Sequence, residues 1–514
     1  MISVTPQGQV YICKTPLESD YKNQLTFTNK TTQLEYFNSK IQYTFDNYTY
    51  IKKDNVIKVG MNIDKLLDCN YLFYRNVGFT NESNEVKIFY CFITGMEYIN
   101  ENCTAISFIT DCFQTWQFDI TYNKCFVERE HVNNDTLGLH TIPEGLELGD
   151  YVINAHLRDS HLRDVKIVIA STVTPSEGVS SLGGIYDGIY SGSKYYTYEA
   201  STVTQDLQYL ADRTKESAVT SLFLAPDFVI PQAGGGPVTQ TSTAKTYDLG
   251  VSPISTLNGY TPANKKLLTY PFCYILASNA NGASAIYHQE LFTAKNLSNE
   301  YVFRVKGSLT PGCSIRMYPV NYKGSEDNID EGINLGKYPQ LNWATDMFTN
   351  WVTQNGVNVA TSLVGNTVAT VGSVATGNVA GAVGGLAGIT KSLNEVYKAN
   401  LIPPQSYGNT NCGDVITSAR ENTFHVYRMT IKQEYASIID KYFNMFGYKV
   451  NDVKIPNITG RTNWNYVKTI ECNFTGNIPQ TDLGIIRTMF NNGITLWHNP
   501  STMYNYSNSN NIVT

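Results

Sequence analysis

YASIIDKYFNMFGYKVNDV, residues 435–453, is the stretch whose reading decides the fold. Tyr435, Ile438, Ile439, Tyr442, Phe443 and Phe446 recur at intervals of three and four, the spacing of an amphipathic helix. Gly447 ends it, and Tyr448 to Val453 reads as a strand. Further on, Tyr466 to Phe474 reads as another strand. Thr481 or Asp482 is then expected to cap a helix ending near Gly493, with Ile494 to Trp497 extended.

Working outward, a related order of elements is expected near the N-terminus. Ile63, Leu66, Leu67, Tyr71 and Tyr74 keep helical spacing, with Gly78 as a stop. Val86 to Met96 and Cys103 to Ile109 read as strands joined around Asn100-Glu101-Asn102. Asp111 is placed to cap a short helical turn through Trp116. The shared order suggests a diverged duplication. Between the two regions, roughly 160–340, short strands alternate with Gly, Ser and Pro, and Gly183 to Tyr198 and Pro231 to Pro237 read as exposed loops. The class is β-rich α+β.

One segment stands apart. From Met347 to Thr390, 44 residues contain no Asp, Glu, Lys, Arg or His. As a helix it would extend ~66 Å at 1.5 Å per residue, and ~20 apolar residues suffice for one membrane crossing. Gly365, Ala369, Ser373, Gly377, Gly381 and Gly385 fall every fourth residue, a ridge of small side chains that lets helices approach closely inside a membrane. Val368, Val371, Val379, Val383 and Leu386 supply the apolar bulk of the expected membrane-interacting surface. In water the same glycines cost about 1 kcal/mol each relative to alanine, so an isolated soluble helix is disfavoured. A low-complexity loop and a buried core helix are the competing readings.

The 514-residue chain carries a net charge of −6, which argues against a protein that wraps nucleic acid. Cys13, Cys69, Cys91, Cys103, Cys112, Cys125, Cys273, Cys313, Cys412 and Cys472 form no CxxC pair, and buried free thiols from a reducing cytoplasm are expected. The opening residues lack a basic n-region and an apolar h-region, so no signal peptide is indicated. His156 and His161, in HLRDSHLRD, read as a solvated turn or helix face rather than a metal site. Gly385 to Ser392 resembles a phosphate loop, but Thr390 stands where that motif requires Gly. Glu326 and Asp327 read as solvated loop charges. No catalytic, cofactor-binding or metal-ligating set is assigned, and no enzyme is expected.

Several stretches together resemble the tail knob proteins of small short-tailed phages (Picovirinae-type podoviruses). They are Asp20-Tyr21-Lys22-Asn23, Phe37-Asn38-Ser39-Lys40, Gln114-Thr115-Trp116, Val127-Glu128-Arg129-Glu130-His131-Val132 and Glu144-Gly145-Leu146. Gly307-Ser308-Leu309, Ile402-Pro403-Pro404-Gln405, Gly447-Tyr448-Lys449-Val450 and Gly493-Ile494-Thr495-Leu496-Trp497-His498 complete the series, in family order over nearly the whole chain.

The resemblance implies a homohexameric tube in the distal tail of a virion, made in the host cytoplasm, with two tail-tube-like β modules per chain. On that basis residues 1–160 are the N-terminal tube module, 161–340 an outer knob insertion, 341–405 a hydrophobic membrane-active loop and 406–514 the C-terminal tube module. The loop is implied to penetrate the host cell membrane while viral DNA passes through the lumen without tight binding. The implied partners are further copies of the chain and other tail proteins, namely a lower collar or tail tube and a tail tip. A receptor-binding adhesin built on the 160–340 loops and a cell-wall hydrolase are the alternatives.

Overall fold

Gly447 takes φ 64, in the left-handed region, and its N–H bonds the Phe443 carbonyl at 2.8 Å, closing the helix Gln433–Phe446. Ala436, Ile439, Asp440 and Phe443 form that helix's buried stripe. The structure, a computed structural model, describes residues 8–76, 86–173, 185–186, 189–190, 194–198, 219–230, 245–309, 313–336, 338, 340–342 and 421–513. The chain divides into two compact units, one of Met1–Gly149, Tyr260–Leu267 and Gln433–Thr514, the other of Asp150–Gly259 and Leu268–Lys432.

In the first unit a six-stranded sheet runs Ile41–Tyr48, Gly8–Cys13, Tyr71–Arg75, Ile88–Asn100, Cys103–Thr110, Val56–Val59. Its pairings are antiparallel. The strand Tyr71–Arg75 is buried on both faces: Leu72 and Tyr74 join a core with Val10, Ile12 and Ile106, while Tyr71 and Phe73 join another with Phe37, Trp464 and Trp497. Burying each such side chain is worth ~1.5–3 kcal/mol relative to exposing it.

A second, five-stranded sheet runs Asn23–Leu25, Ile494–Trp497, Trp464–Ile470, Cys125–Glu130, Tyr448–Lys454. Asn23–Leu25 lies parallel to Thr495–Trp497, and Cys125–Glu130 is inserted between Trp464–Ile470 and Tyr448–Lys454. The two ends of the chain therefore build one sheet. Behind it, Ile486, Met489 and Phe490 of the helix Gln480–Asn492 pack with Val127, Val467 and Phe113.

Three sequence expectations change. Ile63–Tyr74 is no helix: Ile63–Lys65 forms one 3-10 turn and Tyr71–Arg75 a central strand, the N-terminal helix lying instead at Lys30–Asn38. Neither Thr481 nor Asp482 caps the later helix; Pro479 holds that position without a side-chain bond, and Asp482 turns into the interior. Gly183–Tyr198 is not simply a loop, because Lys194–Tyr198 pairs with Val165–Ser171 and buries Tyr195 and Tyr196. The expected cap of Cys112–Trp116 is present, with Asp111 accepting from the Gln114 N–H at 3.1 Å.

The second unit has only strands and 3-10 turns among its described elements, apart from the residue at 421 that opens the return of the chain. Three of its sheets share one core, which includes Val168, Ile169, Phe223, Ile275, Phe303 and Val426. Nine described cysteines are free thiols and all but Cys103 are buried, as expected; Cys412 lies outside the described residues. Among the described residues no helix is long and apolar enough to cross a membrane.

Candidate functional site

The neutral segment Met347–Thr390 lies outside the described residues, and with it Gly365, Val368, Ala369, Val371, Ser373, Gly377, Val379, Gly381, Val383, Gly385 and Leu386. Its flanks are described. The chain is last seen at Gln340–Asn342, paired with Ser221–Phe223, and returns at Glu421 to enter the strand His425–Ile431.

What the structure does bring together, in the first unit, is the set of short motifs scattered along the sequence. Gln114 Nε2 donates to the Leu25 carbonyl at 2.7 Å and to Gln24 Oε1 at 3.0 Å, beside Asp20–Asn23. Asn23 Oδ1 accepts from the Trp497 indole at 3.0 Å, and Thr26 Oγ1 meets His498 Nδ1 at 2.8 Å. Glu144 bonds the Lys449 N–H at 3.0 Å and pairs with both Arg129 and Lys266. Arg129 in turn donates to the Gly447 carbonyl at 2.7 Å. Residues from six motifs thus close one clasp between the ends of the chain.

The charges in this clasp are buried and each is answered, as burial of a charge requires. Glu130, fully buried, accepts from the Asn457 N–H at 2.7 Å and pairs with Lys454. Asp440 accepts from Tyr260 Oη, the Ala263 N–H and Asn264 Nδ2 at 2.8 Å each, which pins residues 260–264 to the helix Gln433–Phe446. Lys266 lies over the Tyr448 ring, and burial lowers its pKa.

Two histidines are held neutral. The Tyr466 N–H donates to His131 Nδ1 at 2.7 Å, so the ring proton sits on Nε2, which donates to the Asn444 carbonyl at 3.0 Å. Burial pushes His131 down to about 3, and it pushes His498 down to about 4. Asp111, buried at the helix cap, is raised by burial to about 7 against the lowering effect of bonds from Gln114 and Tyr71. Their geometry locks strands and helices together.

An open cleft of about 1040 Å³ indents the first unit between the C-terminal end of the helix Gln433–Phe446 and the length of the helix Gln480–Asn492. Phe446, Ile485, Met489, Tyr466 and Tyr504 give it an apolar lining, with Asp20 and Lys22 among its polar members.

In the second unit His156 sits on the strand Tyr151–Arg158, not on a helix, and its Nε2 lies 2.9 Å from His425 Nδ1. His161 instead bonds Asp159 at 2.9 Å, in a turn. Glu326 and Asp327 are exposed, and Asp327 pairs with Arg304 at 2.9 Å. No group of three or more His, Cys, Asp or Glu able to hold a metal occurs among the described residues. Sequence reading missed Lys266 and Asp440, since no local pattern distinguishes a buried charge from a solvated one.

Comparison with known proteins gives the same full-length agreement. Residues 9–122 match the N-terminus of the caudoviral major tail protein. The tail knob protein gp9 of Bacillus phage B103 is 26% identical, with 94% of this chain and 95% of that protein covered. Its counterpart in Bacillus phage phi29 is also 26% identical, covering 96% and 97%. In fold, the chain is similar to the tail knob protein gp12 of bacteriophage C1, with TM-score 0.64, 17% identity and 98% and 100% coverage. Residues 237–511, more than half of the chain, match the C-terminal domain of the phi29 tail knob protein gp9, and the chain belongs to that tail knob family.

Proposed function

We propose that this chain is the subunit of a hexameric tail knob that conducts DNA and delivers a membrane-penetrating loop. The observation that carries the reading is the combination of full-length likeness to tail knobs with a 44-residue segment free of charge. The tube modules are assigned to 1–160 and 406–514, the outer insertion to 161–340 and the membrane-active loop to 341–405. Further copies of the chain, a lower collar or tail tube, and a tail tip are its proposed partners. It works in the distal tail of the virion.

A DNA conduit has to hold its cargo weakly. Neutralising each additional phosphate strengthens binding and steepens its dependence on salt, and a net charge of −6 offers no cationic surplus for that. The segment's Gly377 and Gly381, on the small-residue ridge, are suited to helix–helix contact in a bilayer. Electron micrographs of the purified protein test the assembly: open sixfold rings are expected, and monomers or dimers at high concentration would refute it. Tight, steeply salt-dependent binding of duplex DNA would refute the conduit.

A further inference from the structure

Two buried thiols of the first unit meet where neighbouring strands part. Phe126 and Ile470 lie opposite each other at the end of the ladder between Cys125–Glu130 and Trp464–Ile470, and both are exposed. Thr121 and Thr475 form a second pair further along. Residues 122–125 and 471–474, equal in length, fill the gap between these pairs, so the two chains stay side by side through it. Strand alternation would turn Glu471 inward and Cys472 outward. Glu471 instead takes φ 54, in the left-handed region, and remains exposed, which returns Cys472 to the inner side.

Cys125 faces that same side. It is 5% exposed and Cys472 7%, and both join the core of Val127, Phe474 and Phe490. The Asn473 N–H bonds the Cys125 sulfur, and the Cys472 thiol reaches it as well. Asn123 fixes the adjoining backbone, its Nδ2 donating to the Asn473 carbonyl at 3.0 Å and to Thr475 Oγ1 at 2.9 Å. Opposed residues of antiparallel strands have Cα atoms ~4.5–5.5 Å apart, inside the ~4.4–6.8 Å that a disulfide spans.

We infer that Cys125 and Cys472 are the site of an intramolecular disulfide, formed by a peroxide after the protein has left the reducing cytoplasm. The pairing rests on the geometry; the timing rests on the virion role proposed above. The Cys125 sulfur attacks the peroxide, an S–O bond forms and the O–O bond breaks, and hydroxide leaves as water with the Cys125 proton. The Cys472 sulfur then attacks the resulting sulfenic acid. An S–S bond forms, the S–O bond breaks, and the oxygen leaves as water with the Cys472 proton. Two thiols and one peroxide thus give one disulfide and two waters.

Burial raises both thiols, Cys472 to about 12, so the reaction waits on local opening and is slow. A slow reaction leaves the newly made chain reduced. Once formed, the bond closes a covalent loop around residues 126–471, the whole second unit included. Local opening of the sheet then no longer separates its N-terminal and C-terminal strands.

The test exposes the purified, reduced full chain to dilute hydrogen peroxide, blocks remaining thiols with iodoacetamide under denaturing conditions, and maps the peptides by mass. A peptide pair joined through Cys125 and Cys472, two hydrogens lighter than the sum of its parts, is expected. The thermal midpoint should rise by about 5 °C, and dithiothreitol should reverse the rise. Cys125→Ser and Cys472→Ser should each abolish the joined pair, and mapping of the wild-type chain decides the matter even where a variant folds poorly. Both thiols recovered alkylated, either one joined to a different cysteine, or either one oxidised on to sulfinic acid overturns the pairing.

In protein from released particles the bond should be present, and in protein alkylated at cell lysis it should be absent. Released particles that keep both thiols overturn the timing. Ring assembly is read separately: sixfold rings without the bond remove this inference alone, and a bonded protein that forms no rings removes the proposed hexamer alone.

Discussion

The indole N–H of Trp116 donates to the carboxylate of Asp482 at 2.9 Å, and Lys53 pairs with the other oxygen of the same group. A single buried charge thus joins the short helix Cys112–Trp116 to the helix Gln480–Asn492, two segments far apart in sequence. Lys87 stacks over the Trp116 ring at 3.9 Å and holds the indole in place. Replacing Asp482 with Ala leaves the indole N–H without its acceptor and the Lys53 ammonium with only the more distant Asp54, 3.9 Å away. Loss of one partner of a fully buried pair costs ~3–5 kcal/mol, and the partial exposure of Lys53 places this case near ~2–3 kcal/mol. Denaturant unfolding of Asp482→Ala against wild type measures it.

Gly447 makes a second prediction. A side chain there would meet the Glu130 carbonyl oxygen at 2.1 Å, and its φ of 64 strains any residue with a Cβ. Gly447→Ala is expected to destabilise the first unit by about 3 kcal/mol or more, since backbone conflict adds to the left-handed strain. A loss no larger than the ~1–2 kcal/mol that an L-residue pays in the left-handed region would show that the strand Cys125–Glu130 gives way easily.

Why Gly447 was legible and Tyr71–Arg75 was not is a matter of what each neighbourhood imposes. The helix Gln433–Phe446 is buried on one stripe and exposed on the other, so its period survives in the sequence. Tyr71, Leu72, Phe73 and Tyr74 are all buried, on alternate faces of a sheet with a core on each side, and alternation disappears. Helical spacing within Ile63–Tyr74 was then a coincidence of apolar positions. The clasp is half visible in the sequence: its motifs carry the family resemblance, but the pairing of Asn23–Leu25 with Thr495–Trp497 is a long-range event with no local signal. Asp482 misled because an acid near a helix start usually caps it, whereas here it is recruited by Lys53 and Trp116.

Asp111 predicts a pH dependence of one sign. Its carboxyl is raised to about 7 in the folded protein, so the folded state holds a proton that the unfolded chain releases near 3.8. Its contribution to stability is complete below pH 3.8 and is lost as pH rises through 7. Asp111→Asn keeps the cap, because Asn caps helices about as well as Asp, and removes the ionisation. Stability of the variant should fall less than that of wild type between pH 4 and 7, whereas Asp111→Ala should lose ~1 kcal/mol or more at every pH.

His131 and His498 act in the opposite direction. Both are held neutral when folded, at about 3 and about 4, while an unfolded histidine takes up its proton near 6.5. Their contribution is complete above pH 6.5 and is lost as pH falls toward those values, so acid opens the clasp from this side. Selective imidazole labelling should show His131 neutral, with its proton on Nε2, down to pH 4. A His131 signal that titrates near 6.5 would contradict the burial and both bonds.

The neutral segment makes the last prediction, in which the ridge counts for more than mean hydropathy. Replacing Gly377 and Gly381 with Leu raises hydropathy and favours insertion of a single copy, yet fills the groove that neighbouring helices need. If copies act by association, dye release from liposomes falls in this variant. Deleting residues 356–388 should abolish leakage and leave ring assembly intact, because the clasp is built from residues outside that stretch. Higher leakage from the Leu variant would mean that single copies insert independently. Undiminished leakage from the deletion protein would move the membrane activity to another part of the chain.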